Sequence, residues 1–329
     1  DFEGVVPTLN KALQEREYLT LTPVQKAVLA SELGNTDALV SAQTGSGKTV
    51  AFGLAIAPTI LENEETFSQP ELPLALIVTP TRELAMQVKA ELQWLYKLTG
   101  AQIASCVGGM DMRTEKRNLK KSPNIILGTP GRLKDYIERK ILDLSALKVV
   151  VLDEADEMLN MGFKDDLDTI LAETPKEKQT LLFSATMPKE VMKISRDYMF
   201  SPKTIEVASR NEGAKDVEHH YYMVNARDRY KALRRICDVN PDIYGIVFCR
   251  TRRETADIAD KLMQDGYNAD AIHGELSQAQ RDHVMGRFRK RKLQILVATD
   301  VAARGIDINE LTHVVNYNLP DDNEIYVHR

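Results

Sequence analysis

The run Ala42-Gln43-Thr44-Gly45-Ser46-Gly47-Lys48-Thr49 constrains the fold of this 329-residue chain more than any other stretch. It follows a short apolar segment, residues 39–41, that reads as a strand. It opens a stretch that reads as helix from Lys48 to about residue 57. Glycines let the backbone curl so that several N–H groups aim at one phosphate chain, and the helix N-terminus adds its dipole. In such a loop Thr44, Gly45, Ser46 and Gly47 wrap the phosphates. Lys48 bridges the β- and γ-phosphates, and Thr49 offers its hydroxyl to Mg²⁺. Ala42 stands where the general pattern has glycine, and a small residue meets the same steric need. The bland alternative is a glycine-rich turn without ligand, which Gly-x-Gly-Lys-Thr between strand and helix disfavours.

Short β-branched runs alternate with helical periodicity along the rest of the chain. Strands are expected over 39–41, 74–79, 103–107, 125–127, 149–153 and 180–184, with helices over 82–98 and 132–139. The pattern then restarts, with strands over 243–249, 269–272, 295–299 and 313–317 and helices over 254–265 and 278–289. Alternation of this kind predicts an α/β fold with parallel sheets and helices on both faces. Residues 62–73 are acidic and proline-bearing and read as a surface loop. The polar, non-periodic stretch around 208–216 reads as a hinge. The expected organisation is therefore a first domain over 1–208, a linker over 209–216 and a second domain over 217–329.

A second chemical signal follows the strand Val149-Val150-Val151-Leu152, whose C-terminal tip carries Asp153 and Glu154. Ligands of open parallel sheets bind at that edge. Asp153 there can hold Mg²⁺, and Glu154 can orient or deprotonate an attacking water. An acidic helix cap would account for one of these acids, not for both after a buried strand. Phosphate loop and acid pair together mean nucleoside triphosphate hydrolysis or transfer.

Composition removes other classes. Apolar runs stay far below the roughly eighteen residues that span a bilayer, so no membrane role is expected. No secretory signal is visible, although the chain starts at Asp1. Cys106, Cys237 and Cys249 are far apart and read as buried thiols in a reducing compartment, not as a disulfide or zinc framework. The net charge of −5 argues against holding nucleic acid by bulk charge alone.

Asp153-Glu154-Ala155-Asp156 spells the signature of the DEAD-box RNA helicases, and the other segments resemble that family's motifs in its own order. After the phosphate loop come Pro80-Thr81-Arg82-Glu83-Leu84-Ala85, Gly108-Gly109, Thr129-Pro130-Gly131-Arg132, the acidic tetrad and Ser184-Ala185-Thr186. The second half adds Val247-Phe248-Cys249-Arg250-Thr251, Gln278 with Arg281, and a run from Ala298 to Asp307. The resemblance covers nearly the whole chain. It implies two RecA-like lobes in tandem, the phosphate-loop NTPase architecture of helicase superfamily two, with ATP and Mg²⁺ in the cleft between them. It implies adenine reading by Gln25 with Phe2 stacked on the base, and Asp307 approaching the ribose. Lys48, Asp153 and Glu154 would be catalytic, with Ser184 and Thr186 linking the γ-phosphate to the lobe interface. RNA would lie on Thr81, Arg82, Gly109, Thr129 and Arg132 in the first lobe, and on Arg250, Arg281 and Thr299 in the second. Glycine backbones, hydroxyls and arginines suit phosphate and sugar contacts, which position a strand without reading its sequence. Taken singly, each arginine is as readily a solvated surface charge.

The implied activity is ATP-driven separation of RNA duplexes or remodelling of RNA–protein complexes through closure of the two lobes. A cytoplasmic setting and ribosome-assembly or RNA-decay partners follow by analogy with bacterial members. The chain departs from the family at Glu17, where glycine is usual, and at Leu21, where proline is usual. His328-Arg329 resembles the start of a motif whose later arginines act on the γ-phosphate. Without those, the expectation is an ATP-gated RNA clamp that hydrolyses slowly. A phosphate-loop kinase or DNA translocase explains the loop and Asp153 but has no use for Gln25, Ser184, Thr186, Gln278 and Arg281 together.

Overall fold

The computed structural model describes residues 2–68, 71–207, 217–304, 306, 308 and 310–329. The expected linker over 209–216 and the ribose residue Asp307 lie outside the described residues. The chain divides into two compact units, Asp1–Arg210 and Asn211–Arg329.

In the first unit the strands are β1 (Ala38–Ser41), β2 (Ala75–Val78), β3 (Ile103–Cys106), β4 (Ile125–Gly128), β5 (Val149–Leu152), β6 (Gln179–Ser184) and β7 (Lys203–Glu206). Among the described residues they form one sheet in the order β3-β4-β2-β5-β6-β1-β7, with each neighbouring pair parallel. The strand residues sort alternately onto its two faces. Val40, Ile77, Leu127, Val151 and Phe183 belong to one core. Leu39, Leu76, Ile126, Val150 and Leu182 belong to the other. Each such side chain, fully buried, contributes about 2 kcal/mol, which is why uninterrupted apolar runs mark these strands.

The second unit repeats the design with β8 (Gly245–Cys249), β9 (Ala269–Ile272), β10 (Ile295–Thr299) and β11 (His313–Asn316), in the order β11-β8-β10-β9 and again parallel. Val247 and Val297 face one core, Phe248 and Leu296 the other. The fold class is therefore two parallel-sheet α/β units.

Three local differences from the sequence-based expectations have physical causes. The helix Lys48–Ile60 continues past residue 57 with Pro58 inside it. Proline forfeits one backbone hydrogen bond, but Ile60 and Leu61 beyond it are almost completely buried and hold the extra turn. The expected helix 82–98 ends at Leu95, gives way to a 3₁₀ turn over Lys97–Thr99, and stops at Gly100 with φ 74°. Strand β7 is not expected from the sequence pattern. Its residues, Lys-Thr-Ile-Glu, bury only Ile205, the polar signature of an edge strand.

Candidate functional site

All strands of a parallel sheet end at the same edge, so the segments following β1 to β6 converge there. The strand order also sorts them. The C-terminal ends of β5, β6 and β1 and the segments that follow them carry Asp153-Glu154, Ser184 to Thr186 and the phosphate loop, on three adjacent strands. The segments following β3, β4 and β2 carry Gly109, Thr129 to Arg132 and Thr81-Arg82, on the other three. The strand-tip residues of this unit expected at nucleotide and those expected at RNA thus occupy separate contiguous parts of one edge.

In the phosphate loop Gly45 and Gly47 adopt φ 77° and 84°, a region L side chains rarely enter. Gly47 is also sterically required, because a Cβ there would lie 2.7 Å from Gln25 Nε2 and 3.0 Å from Thr22 Oγ1. Gly47 caps the helix Lys48–Ile60 without any side-chain bond, and the first turn holds no acid. Its free N–H groups and dipole are therefore available to an anion.

Lys48 Nζ sits 3.0 Å from Asp153 Oδ1 and 3.0 Å from Glu154 Oε1, and all three residues are buried. Glu154 Oε1 also accepts from Thr44 Oγ1 at 3.0 Å. Consecutive strand residues point to opposite faces. Both acids reach one ammonium because Glu154 turns into the left-handed region, φ 52°, at a cost of about 1–2 kcal/mol. Glu154 makes no side-chain cap bond to the helix it precedes, which rules out the helix-cap reading. Burial works against the charge on Lys48, yet the two carboxylates outweigh it and hold the ammonium above its ordinary pKa. Burial also raises the Asp153 carboxyl, with Lys48 pulling against it.

Asp153 is fully buried, and among the described residues its Oδ2 meets no hydrogen-bond donor. A buried carboxylate oxygen left bare in this way fits a cation ligand, and the half-buried Thr49 stands in the first turn of the helix Lys48–Ile60. This donor set, carboxylate and hydroxyl, suits Mg²⁺.

Gln25, 1% exposed, bonds at both ends of its amide within the protein. Its Oε1 accepts from Thr22 N–H at 2.9 Å and its Nε2 donates to the Gly47 carbonyl at 3.1 Å, so it ties the upstream motif to the phosphate loop. Phe2 is half-buried against the first core, its backbone N–H and carbonyl both bonded to the Asn10 side-chain amide.

Asp156 carries no assigned role on sequence alone. It is 1% exposed, and its Oδ2 accepts from Thr186 N–H at 3.0 Å and Thr186 Oγ1 at 2.8 Å. Its own N–H donates to Ser184 Oγ at 3.2 Å. The last acid of the tetrad therefore clamps the Ser184 and Thr186 segment to the tip of β5. Two hydroxyls spaced two residues apart at the end of a strand are the available signal.

The RNA-assigned residues are disposed unevenly. Gly109 is exposed with φ 80°, and Arg82 and Thr129 are half-exposed. Thr81 caps the helix Arg82–Leu95 by accepting from Leu84 N–H. Arg132 turns inward, 3.3 Å from Glu115 Oε2 and 3.1 Å from Tyr136 Oη. In the second unit Arg250 follows β8 and reaches Asp321 at 2.8 Å. Arg281 donates to the Ala302 carbonyl at 3.2 Å, and Ala302 N–H donates to Thr299 Oγ1 at 3.3 Å. Arg281 and Thr299 therefore meet at one residue, beside the tip of β10.

The sequence profile described as DEAD/DEAH box helicase matches residues 22–194, and that described as helicase conserved C-terminal domain matches 228–329. The ATP-dependent RNA helicase CshA of Limosilactobacillus reuteri is 43% identical over 326 residues, which is 99% of this chain and 64% of that protein. The chain thus spans a little under two thirds of the length of that relative. Saccharomyces cerevisiae Dbp5 bound to RNA and ADP BeF3 superposes with a TM-score of 0.88 at 29% identity, covering 99% of this chain and 83% of that one. Mss116p bound to ssRNA and AMP-PNP gives 0.86 at 30%, covering 98% and 69%.

Proposed function

Because the chain belongs to the DEAD/DEAH box helicase family, we propose that it carries the core of an ATP-dependent RNA helicase. In this reading it binds ATP with Mg²⁺ and binds RNA through largely sequence-independent backbone contacts. ATP turnover stimulated by RNA then separates short duplexes or remodels RNA–protein complexes. The proposal keeps the organisation of a first lobe over 1–208, a linker over 209–216 and a second lobe over 217–329. It includes a cytoplasmic setting with ribosomal or RNA-decay partners, supported by the bacterial RNA helicases among the relatives.

The observation that carries it is Lys48 held between Asp153 and Glu154 at an uncapped helix N-terminus. Incoming phosphates offer Lys48 a stronger set of charges, and its transfer to them releases both acids. Mg²⁺, held by Thr49 and Asp153, would neutralise charge on the phosphates. Glu154, freed from Lys48 and Thr44, takes the proton of a water that adds to the γ-phosphorus. The bond to the β-bridging oxygen breaks, and ADP and phosphate leave. RNA contacts at the neighbouring strand tips couple to this cycle as one binding site couples to another.

Steady-state ATP hydrolysis with and without single-stranded RNA tests the reading. Glu154→Gln keeps the shape but not the base, and should retain ATP binding while losing at least about 10²-fold in turnover. Equal stimulation by single-stranded DNA, or unchanged turnover in the variant, would refute the assignment.

A further inference from the structure

The helix Met112–Leu119 buries a single residue, and that residue is a glutamate. Glu115 is 2% exposed and its two oxygens serve two different segments, a loop and a helix. Oε1 accepts from Val107 N–H at 2.9 Å, immediately before Gly108-Gly109. Oε2 accepts from Arg132 Nη1 and from Tyr136 Oη. These segments, the turn after β3 and the helix Pro130–Glu138 after β4, follow strands that pair side by side. Their tips are already close, since a Cβ on Gly128 would lie 2.4 Å from the Cys106 carbonyl and Thr129 N–H donates to that carbonyl.

We infer that Glu115 is a positioning residue for RNA: one buried carboxylate holds the Gly108-Gly109 turn and the Arg132 guanidinium in a single arrangement against the strand. This rests on the helicase reading above and adds to it a residue that makes no RNA contact itself. Arg132 spends only Nη1 on Glu115 and Tyr136, and its ring-face contact with Tyr136 (5.4 Å to the centroid) fixes the guanidinium plane. Among the described residues Nε and Nη2 have no protein partner, so the edge that can grip a phosphate is the one left over. Without the carboxylate the guanidinium loses its anchor, and the glycine turn loses the bond that starts it.

The test is binding of a fluorescein-labelled oligouridine by anisotropy, with an ATP analogue present, over a range of salt. Glu115→Gln keeps an acceptor for Val107 N–H but offers Arg132 no charge. Glu115→Asp keeps the charge but lacks the reach for both the turn and the helix. Each should weaken RNA binding about tenfold, the order of one lost charged hydrogen bond, with nucleotide affinity moving much less. Combined with Arg132→Ala, Glu115→Gln should add almost nothing, because both act through one contact. A purely structural role would instead add its full effect and weaken nucleotide binding in step. Wild-type RNA affinity in both single variants, or full additivity, overturns the inference alone. A wild-type protein that binds no RNA overturns the helicase reading and this inference with it.

Discussion

Replacing Lys48 by methionine removes one ammonium and leaves the methylene stem in place. Asp153 and Glu154, 0% and 5% exposed, are then two buried carboxylates with no cation between them. Breaking a buried pair from one side costs about 3–5 kcal/mol, so at pH 8 the nucleotide-free first unit should lose about 3 kcal/mol. The pH dependence has a definite sign. Asp153 has a native pKa raised to about 6, chiefly by burial, with Lys48 opposing the rise. A carboxyl whose native pKa exceeds its unfolded value stabilises the fold when protonated, and that stability drains away as pH rises through the window between the two. Loss of Lys48 pushes the native value higher still. The deficit of the variant should therefore shrink as pH falls from 8 to 6, by up to about 1.4 kcal/mol for each pH unit crossed below the raised native value. Trp94 is the single tryptophan and lies in the first unit, so its fluorescence in a urea titration reports that unit alone. A deficit under about 1 kcal/mol at pH 8, or one independent of pH, would refute the reasoning.

Gly47→Ala should abolish ATP binding and cost about 1–2 kcal/mol in the same urea titration, because it combines an L residue at φ 84° with a Cβ 2.7 Å from Gln25 Nε2. Normal nucleotide affinity in that variant would show that the loop tolerates a side chain. The three thiols should resist a disulfide reagent in the native protein at pH 8, since burial pushes Cys106 and Cys249 up to about 12 and Cys237 to about 11. Labelling should begin only with unfolding, and stoichiometric labelling within seconds would contradict the burial.

Much of the proposed chemistry is legible along the chain because it is written locally. A phosphate loop needs its glycines, lysine and threonine in consecutive positions, and the acid pair needs only the end of an apolar strand. Both can be read to the residue, and the fold class follows from the alternation of strand and helix. Gln25 is legible as a member of its motif, but not that both ends of its amide are engaged by Thr22 and Gly47. Arg132 is legible as an RNA residue of its motif, but not that a glutamate seventeen residues earlier turns it inward. Asp156 and Glu115 escape altogether, since an acid in a polar helix looks like a solvated charge until its partners are known.

The sequence by itself determined every strand but β7 and which residues stand at their tips, since backbone preference and apolar periodicity act over a few residues. Only the tertiary structure decided how those tips are ordered. Along the chain the phosphate loop and the acid pair are separated by the three segments assigned to RNA. In the sheet, β5, β6 and β1 stand together, and β3, β4 and β2 stand together. Strand order is set by how helices cross over and cover both faces of a shared sheet, a property of the whole unit that no local window of sequence carries.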